Sequence, residues 1–243
     1  MALPKIDLPL FEVKLHSTDE TVQYRPFTVK EEKVLLMAQE SGDNHQMILA
    51  MKQIAGNCCP NLDIETIPMF DLEYLMLQLR AKSVNNEISF TIQDEETQQP
   101  VELTLDIENI KVVIPEGHSK KIDISDDMYL MMRYPTLEEV SMFLQLVSLD
   151  GTEEENNEKA AEILYGVMIS CIDSVVNGDE VEKLSEYSEE EVQAFVDTLP
   201  GGTIESLKQF FETVPKLKYD ATYTNSNGNE KTINLEGTET FFL

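Results

Sequence analysis

The beginning of the chain alternates apolar and polar positions with a period of two. Residues 9–16 (PLFEVKLH) show this alternation, a polar STDE segment follows, and residues 21–27 (TVQYRPF) resume it until Pro26 interrupts the pattern. Alternation on both sides of a short polar segment is typical of a β-hairpin, and proline ends a strand because it lacks a backbone donor. The sequence therefore predicts an N-terminal hairpin.

The pattern then changes to helical spacing. Thr28 and Glu31 have the spacing of a capping box, and Gly42 is suited to end the helix that they begin. A second helix is predicted from about 44 to 57 and a third within 70–87, because apolar residues recur there every three or four positions. We expect three helices after the hairpin.

Period-two alternation returns after the third helix. Residues 88–107 predict a hairpin with a polar tip, residues 109–115 (NIKVVIP) a further strand, and residues 120–135 additional short strands. The first part of the chain is therefore predicted to mix hairpins with helices.

The remainder of the chain is predicted to be mostly helical and strongly acidic. A second capping-box signature, Thr136 to Glu139, precedes it, and residues 216–237 predict a final hairpin that turns at Asn227 and Gly228. The predicted helices cover 136–148, 157–175, 188–198 and 203–213.

These elements together predict an α+β protein with a boundary near Pro135. We expect a mixed N-terminal domain of antiparallel hairpins and helices over 1–135, and an acidic, mostly helical domain with a C-terminal hairpin over 136–243. No period of about 20 to 50 residues recurs, so a solenoid of short repeats is not predicted.

The charge of the chain excludes several kinds of partner. The 46 Asp and Glu residues outnumber the 18 Lys and Arg residues, which gives a formal net charge of −28. Such a surface repels phosphate backbones and anionic lipid, so neither nucleic-acid binding nor direct membrane binding is expected. No apolar run approaches the length of a membrane span, and MALPKIDLPL lacks the layout of a signal peptide, which predicts a cytoplasmic protein.

The cysteines and histidines predict neither disulfides nor a metal site. Cys58, Cys59 and Cys171 are an odd number of cysteines, with two adjacent, so we expect free and mostly buried thiols. The three histidines show no ligand spacing relative to one another or to the cysteines. No metal and no cofactor are predicted.

Catalytic motifs are not evident in the sequence. The glycine-rich phosphate loops, the nucleophile elbow of hydrolases and the His-Glu-x-x-His helix are not found. Cys58 or Cys59 with His45 is the nearest approach to a nucleophile pair, but no third group is evident to orient it. We therefore expect a protein that is not an enzyme and has no catalytic residues.

Two segments carry a resemblance to a known family. The motifs RPFTVKEEK (25–33) and LEYLMLQLRAKS (72–83), followed by VELTLDIENIKVV (101–113), resemble the baseplate hub proteins of T-even-type contractile-tailed bacteriophages, a family that includes the hub subunit and the hub assembly factor. The resemblance covers residues 7–134 well and the acidic half more weakly. It implies protein partners, namely other phage tail baseplate or hub proteins.

The family resemblance also bears on metal binding. Some members carry cysteines at the tips of the middle and final hairpins, where a metal can join them. Here these tips consist of QDEETQQP (93–100) and TNSNGN (224–229). The departure argues against a metal role in this chain.

The resemblance makes the segment around Arg25 a candidate partner-binding site. Tyr24 and Phe27 are large anchors on either side of Arg25, whose guanidinium can form a bidentate pair with a carboxylate. That carboxylate belongs either to this chain, for example Glu31, or to a partner. Arg80 in the second motif has the same two alternatives.

The last residues are a further candidate. Phe241, Phe242 and Leu243 are too apolar to remain in water on an acidic chain. They either fold back on their own domain or dock in a groove of a hub partner.

The predicted function is a non-enzymatic structural or assembly component of a phage tail baseplate hub, acting by protein association in the host cytoplasm and, if it stays in the particle, in the virion tail baseplate. A tail assembly chaperone absent from the mature virion is one alternative, and an unrelated cytoplasmic enzyme is the other.

Overall fold

The computed structural model describes the backbone of residues 6–141 and 153–237 and the side chains of residues 6–141 and 162–237. Helices and small antiparallel sheets alternate along the chain, which confirms the predicted α+β class. Contacts divide the chain into two compact units. The first unit combines the residues up to Val113 with those from Lys216 onward, and the second spans Ile114–Pro215.

The elements are numbered in chain order. The strands are β1 (Phe11–Lys14), β2 (Thr21–Tyr24), β3 (Glu87–Gln93), β4 (Pro100–Asp106), β5 (Lys111–Val113), β6 (Lys121–Asp123), β7 (Met128–Met132), β8 (Ile172–Asn177), β9 (Glu180–Lys183), β10 (Lys216–Thr224) and β11 (Glu230–Glu236). The helices are α1 (Val29–Ser41), α2 (Asn44–Cys58), α3 (Met69–Ser83), α4 (Glu153–Ser170), α5 (Glu189–Val196) and α6 (Thr203–Glu212). Residues 137–141 are also helical, and short 3-10 turns lie at Ile107–Asn109 and Leu184–Glu186.

The beginning of the first unit agrees with the predictions. Strands β1 and β2 form the expected hairpin, and α1 begins after Thr28 in a capping box. The helix ends at Gly42, whose φ of 63° lies in the left-handed region that glycine adopts at low cost. The apolar faces of α2 and α3 are buried, with Met51, Ile54 and Leu72 almost inaccessible to solvent. These helices form the core of the unit.

The final hairpin lies in the first unit. Strand β10 pairs with β11 on one side and with β5 on the other, with Leu217 opposite Val112. After the second unit the chain therefore returns to complete a sheet that β5 begins, and the domain boundary near Pro135 stays a prediction.

The second unit contains a four-stranded antiparallel sheet in the order β6-β7-β8-β9, together with α4, α5 and α6. Its core includes Leu130 on β7, Cys171 before β8, Val196 on α5, and Leu207 and Phe210 on α6. The hydrophobic core is therefore built between the sheet and the helices.

One predicted helix was partly wrong. The helix predicted over 157–175 ends at Ser170, and Ile172–Asn177 forms strand β8 instead. The apolar run continues past Cys171, but the β-branched residues of β8 favour a strand, and Gly178 adopts a φ of 61° in the tight turn to β9. The helices predicted over 188–198 and 203–213 are confirmed, whereas residues 142–148 of the first predicted acidic helix lie outside the described part.

Candidate functional site

Arg25 occupies the junction between β2 and α1. Its backbone N–H donates to the Cys58 carbonyl over 3.0 Å, and its guanidinium Nη2 donates to Glu31 Oε1 over 3.1 Å and to the Asn57 carbonyl over 3.2 Å. Nη1 donates to the Pro26 carbonyl over 2.9 Å. We call this arrangement of arginine, helix-cap glutamate and the end of the second helix the arginine clasp of the first unit. It joins the hairpin, the start of α1 and the end of α2.

Glu31 is the buried acid of the clasp. The Thr28 backbone N–H donates to Glu31 Oε2 over 2.8 Å, and the Thr28 hydroxyl bonds to the same oxygen. Burial by itself raises the pKa of this carboxyl, but the hydrogen bonds from Thr28 and Arg25 outweigh burial and lower the pKa to about 2. The carboxylate is therefore ionised at neutral pH and holds Arg25 in place.

Tyr24 and Phe27 are interior residues of the first unit. Their exposed fractions are 1% and 8%, and the Phe27 backbone N–H donates to Ser83 Oγ at the end of α3 over 2.9 Å. The side chain of Arg25 is 27% exposed. Contact of these three residues with a partner stays a prediction, and Arg25 offers the most accessible surface for it.

Arg80 lies on α3 above a fully buried stripe that includes Leu75 and Leu79. It is partly buried, and its Nε has no hydrogen-bond partner among the described residues. A partner role for Arg80 stays a prediction. Phe241, Phe242 and Leu243 lie outside the described residues.

The same clasp occurs in the second unit. The Arg133 backbone N–H donates to the Cys171 carbonyl over 2.8 Å, and Arg133 Nη2 donates to Glu139 Oε1 and to the Ser170 carbonyl, each over 2.7 Å. Arg133 Nη1 donates to Glu139 Oε2 over 2.9 Å and to the next carbonyl, that of Tyr134, over 3.2 Å. The bonds to the cysteine carbonyl, to the glutamate Oε1, to the carbonyl before the cysteine and to the carbonyl after the arginine all have counterparts around Arg25, whereas the second bond to Glu139, through Oε2, does not. The two units therefore share one local design.

Glu139 repeats the role of Glu31. Thr136 donates its backbone N–H to Glu139 Oε2 over 2.7 Å, as Thr28 does to Glu31. Burial raises the pKa of Glu139, but the bonds from Arg133, Thr136 and Ser170 lower it to about 2. The capping box at Thr136 was predicted from the sequence, but the role of Arg133 was not. The signal for it was the similarity of RYPTLEE to RPFTVKEE.

The tips of the middle and final hairpins are joined by polar side chains. Tyr223 Oη donates to Asp94 Oδ2 over 2.8 Å, and Lys231 Nζ lies 2.8 Å from Glu96 Oε2. The side-chain amides of three asparagines also donate to Glu96, namely Asn225, Asn227 and Asn229. Hydrogen bonds and an ion pair therefore connect the two tips.

The cysteines have the character expected of structural residues. All three are free and buried, as predicted. Burial raises the pKa of Cys58 to about 11 and those of Cys59 and Cys171 to about 12, which makes each thiol a poor nucleophile at neutral pH. Within the described ranges, no group of three or more His, Cys, Asp or Glu side chains is arranged to hold a metal ion.

An apolar groove opens on the second unit, beside β8, β9 and α5. Its cavity volume is about 370 Å³, within the range of ligand clefts. Apolar side chains line its interior and acidic side chains lie at its rim. We call it the α5 groove; it is lined by Met128, Val175, Asn177, Glu180, Glu182, Leu184, Tyr187, Glu191, Val192 and Phe195.

Comparison with known proteins places the chain in a family. The profile of the family described as T4 bacteriophage base plate protein matches residues 8–243. The chain therefore belongs to this family and is a phage baseplate protein. Searches of curated proteins and of solved structures gave no match. None of the described helices is long and apolar enough to cross a membrane.

Proposed function

We propose that the protein is a non-enzymatic structural or assembly component of the tail baseplate hub and that it acts by associating with other tail proteins. The observation that carries the proposal is the family match over residues 8–243, which includes both units and both arginine clasps. The motifs around Arg25 and Leu79 add the resemblance to hub proteins in particular.

The chemistry of the described residues supports association rather than catalysis. The two clasps place their arginines and carboxylates in hydrogen bonds within the chain, and the thiols are buried and protonated. The surface, by contrast, offers a strongly acidic charge and an apolar groove. Charge and a groove of this kind are suited to recognising a protein surface.

A tail assembly chaperone is the second candidate, because the family resemblance includes an assembly factor. Both candidates require assembly in the host cytoplasm. A structural subunit would remain in the virion tail baseplate, whereas a chaperone would leave before the particle is complete.

Three measurements test the proposal. A phage that lacks this gene should accumulate incomplete baseplates, and the wild-type protein supplied in trans should restore them. Mass spectrometry of purified virions should detect the chain if it is a structural subunit and miss it if it is a chaperone. Normal baseplates in the deletion mutant would contradict both candidates and favour an unrelated enzyme.

A further inference from the structure

We propose that the α5 groove is a docking site for a basic segment of another tail protein, one that inserts a large apolar side chain between flanking lysines or arginines. This inference rests on the proposed function, since it names the partner chemistry for association.

The interior of the groove supplies the apolar part of the site. Val175 on β8, Leu184 in the 3-10 turn after β9, and Val192 and Phe195 on α5 face the cavity together with Met128. Tyr187 at the rim is 44% exposed. An apolar cavity with an aromatic residue at its edge is typical of a pocket that receives an anchor residue from a protein partner.

The rim supplies the charge. Glu180, Glu182 and Glu191 line the groove and are exposed, and Lys183 is the one basic residue of the sequence between Asn177 and Glu191. The field at the opening is therefore negative, so it attracts lysine and arginine and repels acidic chains.

Two of these carboxylates are held in position. Tyr187 Oη donates to Glu182 Oε2 over 2.6 Å, and Glu191 Oε2 accepts from the Ser188 backbone N–H over 2.9 Å and from Ser188 Oγ over 2.8 Å. The bonds from Ser188 also lower the pKa of Glu191, which keeps it ionised. A fixed rim loses little conformational entropy when a partner binds.

The negative charge of the groove favours the proposed basic segment over two other possible occupants. A second copy of this chain carries the same net charge of −28 and is repelled. The chain's own terminal sequence TETFFL offers apolar residues, but it brings Glu239 and contains no lysine or arginine. A basic segment of a different protein complements both the interior and the rim.

The first test uses the purified full chain and labelled synthetic peptides, with binding followed by fluorescence anisotropy at physiological salt. The probe is Lys-Lys-Leu-Phe-Lys-Lys. One control peptide replaces the lysines with glutamates, and another replaces leucine and phenylalanine with serines. Binding of the probe alone is expected, whereas equal binding of either control peptide would overturn the proposed chemistry.

The variant Glu180→Lys/Glu182→Lys should weaken binding of the probe on the order of tenfold, because it reverses the charge of the rim. The matched control is Glu205→Lys/Glu212→Lys, which makes the same change of charge at exposed positions of α6 outside the groove lining. Equal loss in both variants would show a general charge effect and overturn the assignment of the site. Circular dichroism of both variants should show that they are folded, so that a loss of binding is not caused by unfolding.

The same substitutions in the phage separate this inference from the proposed function. The rim variant should reduce the yield of complete baseplates, and the α6 control should not. If the gene deletion blocks assembly but the rim variant assembles normally, the docking site is refuted while the proposed function stands. Normal assembly in the deletion mutant would refute the proposed function itself.

Discussion

The clearest quantitative expectation concerns the first arginine clasp. In the variant Glu31→Gln the side chain keeps its size, but it loses the negative charge that pairs with Arg25, and an amide NH2 replaces one of the two oxygens that accept from Arg25 and Thr28. The substitution therefore tests the electrostatic part of the clasp with little change in packing.

The pKa gives the size of the effect. Lowering the pKa of Glu31 from 4.5 to about 2 is equivalent to roughly 3 kcal/mol at ~1.36 kcal/mol per pH unit. The Arg25 side chain is 27% exposed, and solvent screening reduces this value. We expect the free energy of unfolding of the first unit to fall by about 2 to 3 kcal/mol at pH 7.

The effect should depend on pH in a defined direction. Because the folded-state pKa of Glu31 lies below its unfolded value, the stabilisation is complete above pH ~5 and is lost as the pH falls from about 4.5 towards 2. The difference between wild type and Glu31→Gln should therefore be smaller at pH 3 than at pH 7.

Urea unfolding followed by circular dichroism and tyrosine fluorescence measures the effect, since the chain has 8 tyrosines and no tryptophan. Glu40→Gln is the matched control, because it removes the same charge from an exposed position on α1. The reasoning is refuted if both variants are equally stable, or if the loss in Glu31→Gln is the same at pH 7 and pH 3. Glu139→Gln should show the same direction of change in the unfolding of the second unit.

Three further expectations concern the thiols, the hairpin tips and the terminus. The native protein should react only slowly with a thiol reagent at pH 8, because burial raises the pKa of every cysteine; rapid modification before unfolding would contradict this. Asp94→Ala and Tyr223→Phe should each speed amide hydrogen exchange at both the middle and the final hairpin tip, because each removes the hydrogen bond that joins them. The control is Ser226→Ala at an exposed position, and exchange rates equal to those of this control would show that the tips are not coupled. If Phe241, Phe242 and Leu243 pack on their own unit, their deletion should lower the free energy of unfolding by a few kcal/mol, at ~1.5 to 3 kcal/mol per buried large side chain. If they dock on a partner, the deletion should block baseplate assembly without changing stability. Normal melting together with normal assembly would exclude both.

The sequence by itself determined the local elements. The first hairpin, the three following helices, the capping boxes at Thr28 and Thr136 and the turn at Gly228 all agree with the structure. Each depends on side chains within a few positions of one another, and on backbone preferences that a residue carries wherever it occurs. The partial error at Ile172–Asn177 arose because a buried apolar run fits both a helix and a strand.

The candidate site depended much more on tertiary structure. The composition predicted the acidic charge, and the motif around Arg25 predicted a candidate site at the position of the first clasp. Several acids of the chain could have paired with Arg25, and only the tertiary structure shows that Glu31 does. The α5 groove was not predicted, because its lining residues come from β7, β8, β9, α5 and the segment between β9 and α5.

The repetition of the complete clasp was decided by the tertiary structure. The arginine, threonine and glutamate keep the same spacing in both units, which the sequence shows, but the segment between the arginine and the cysteine is longer in the second unit than in the first. Only the fold shows that the carbonyls of Cys58 and Cys171 accept from equivalent arginines. The bonds that join the hairpin tips at Asp94 and Tyr223 likewise connect residues far apart in the chain. Such contacts form only when the chain returns through β10 to pair with β5, and no local pattern encodes that pairing.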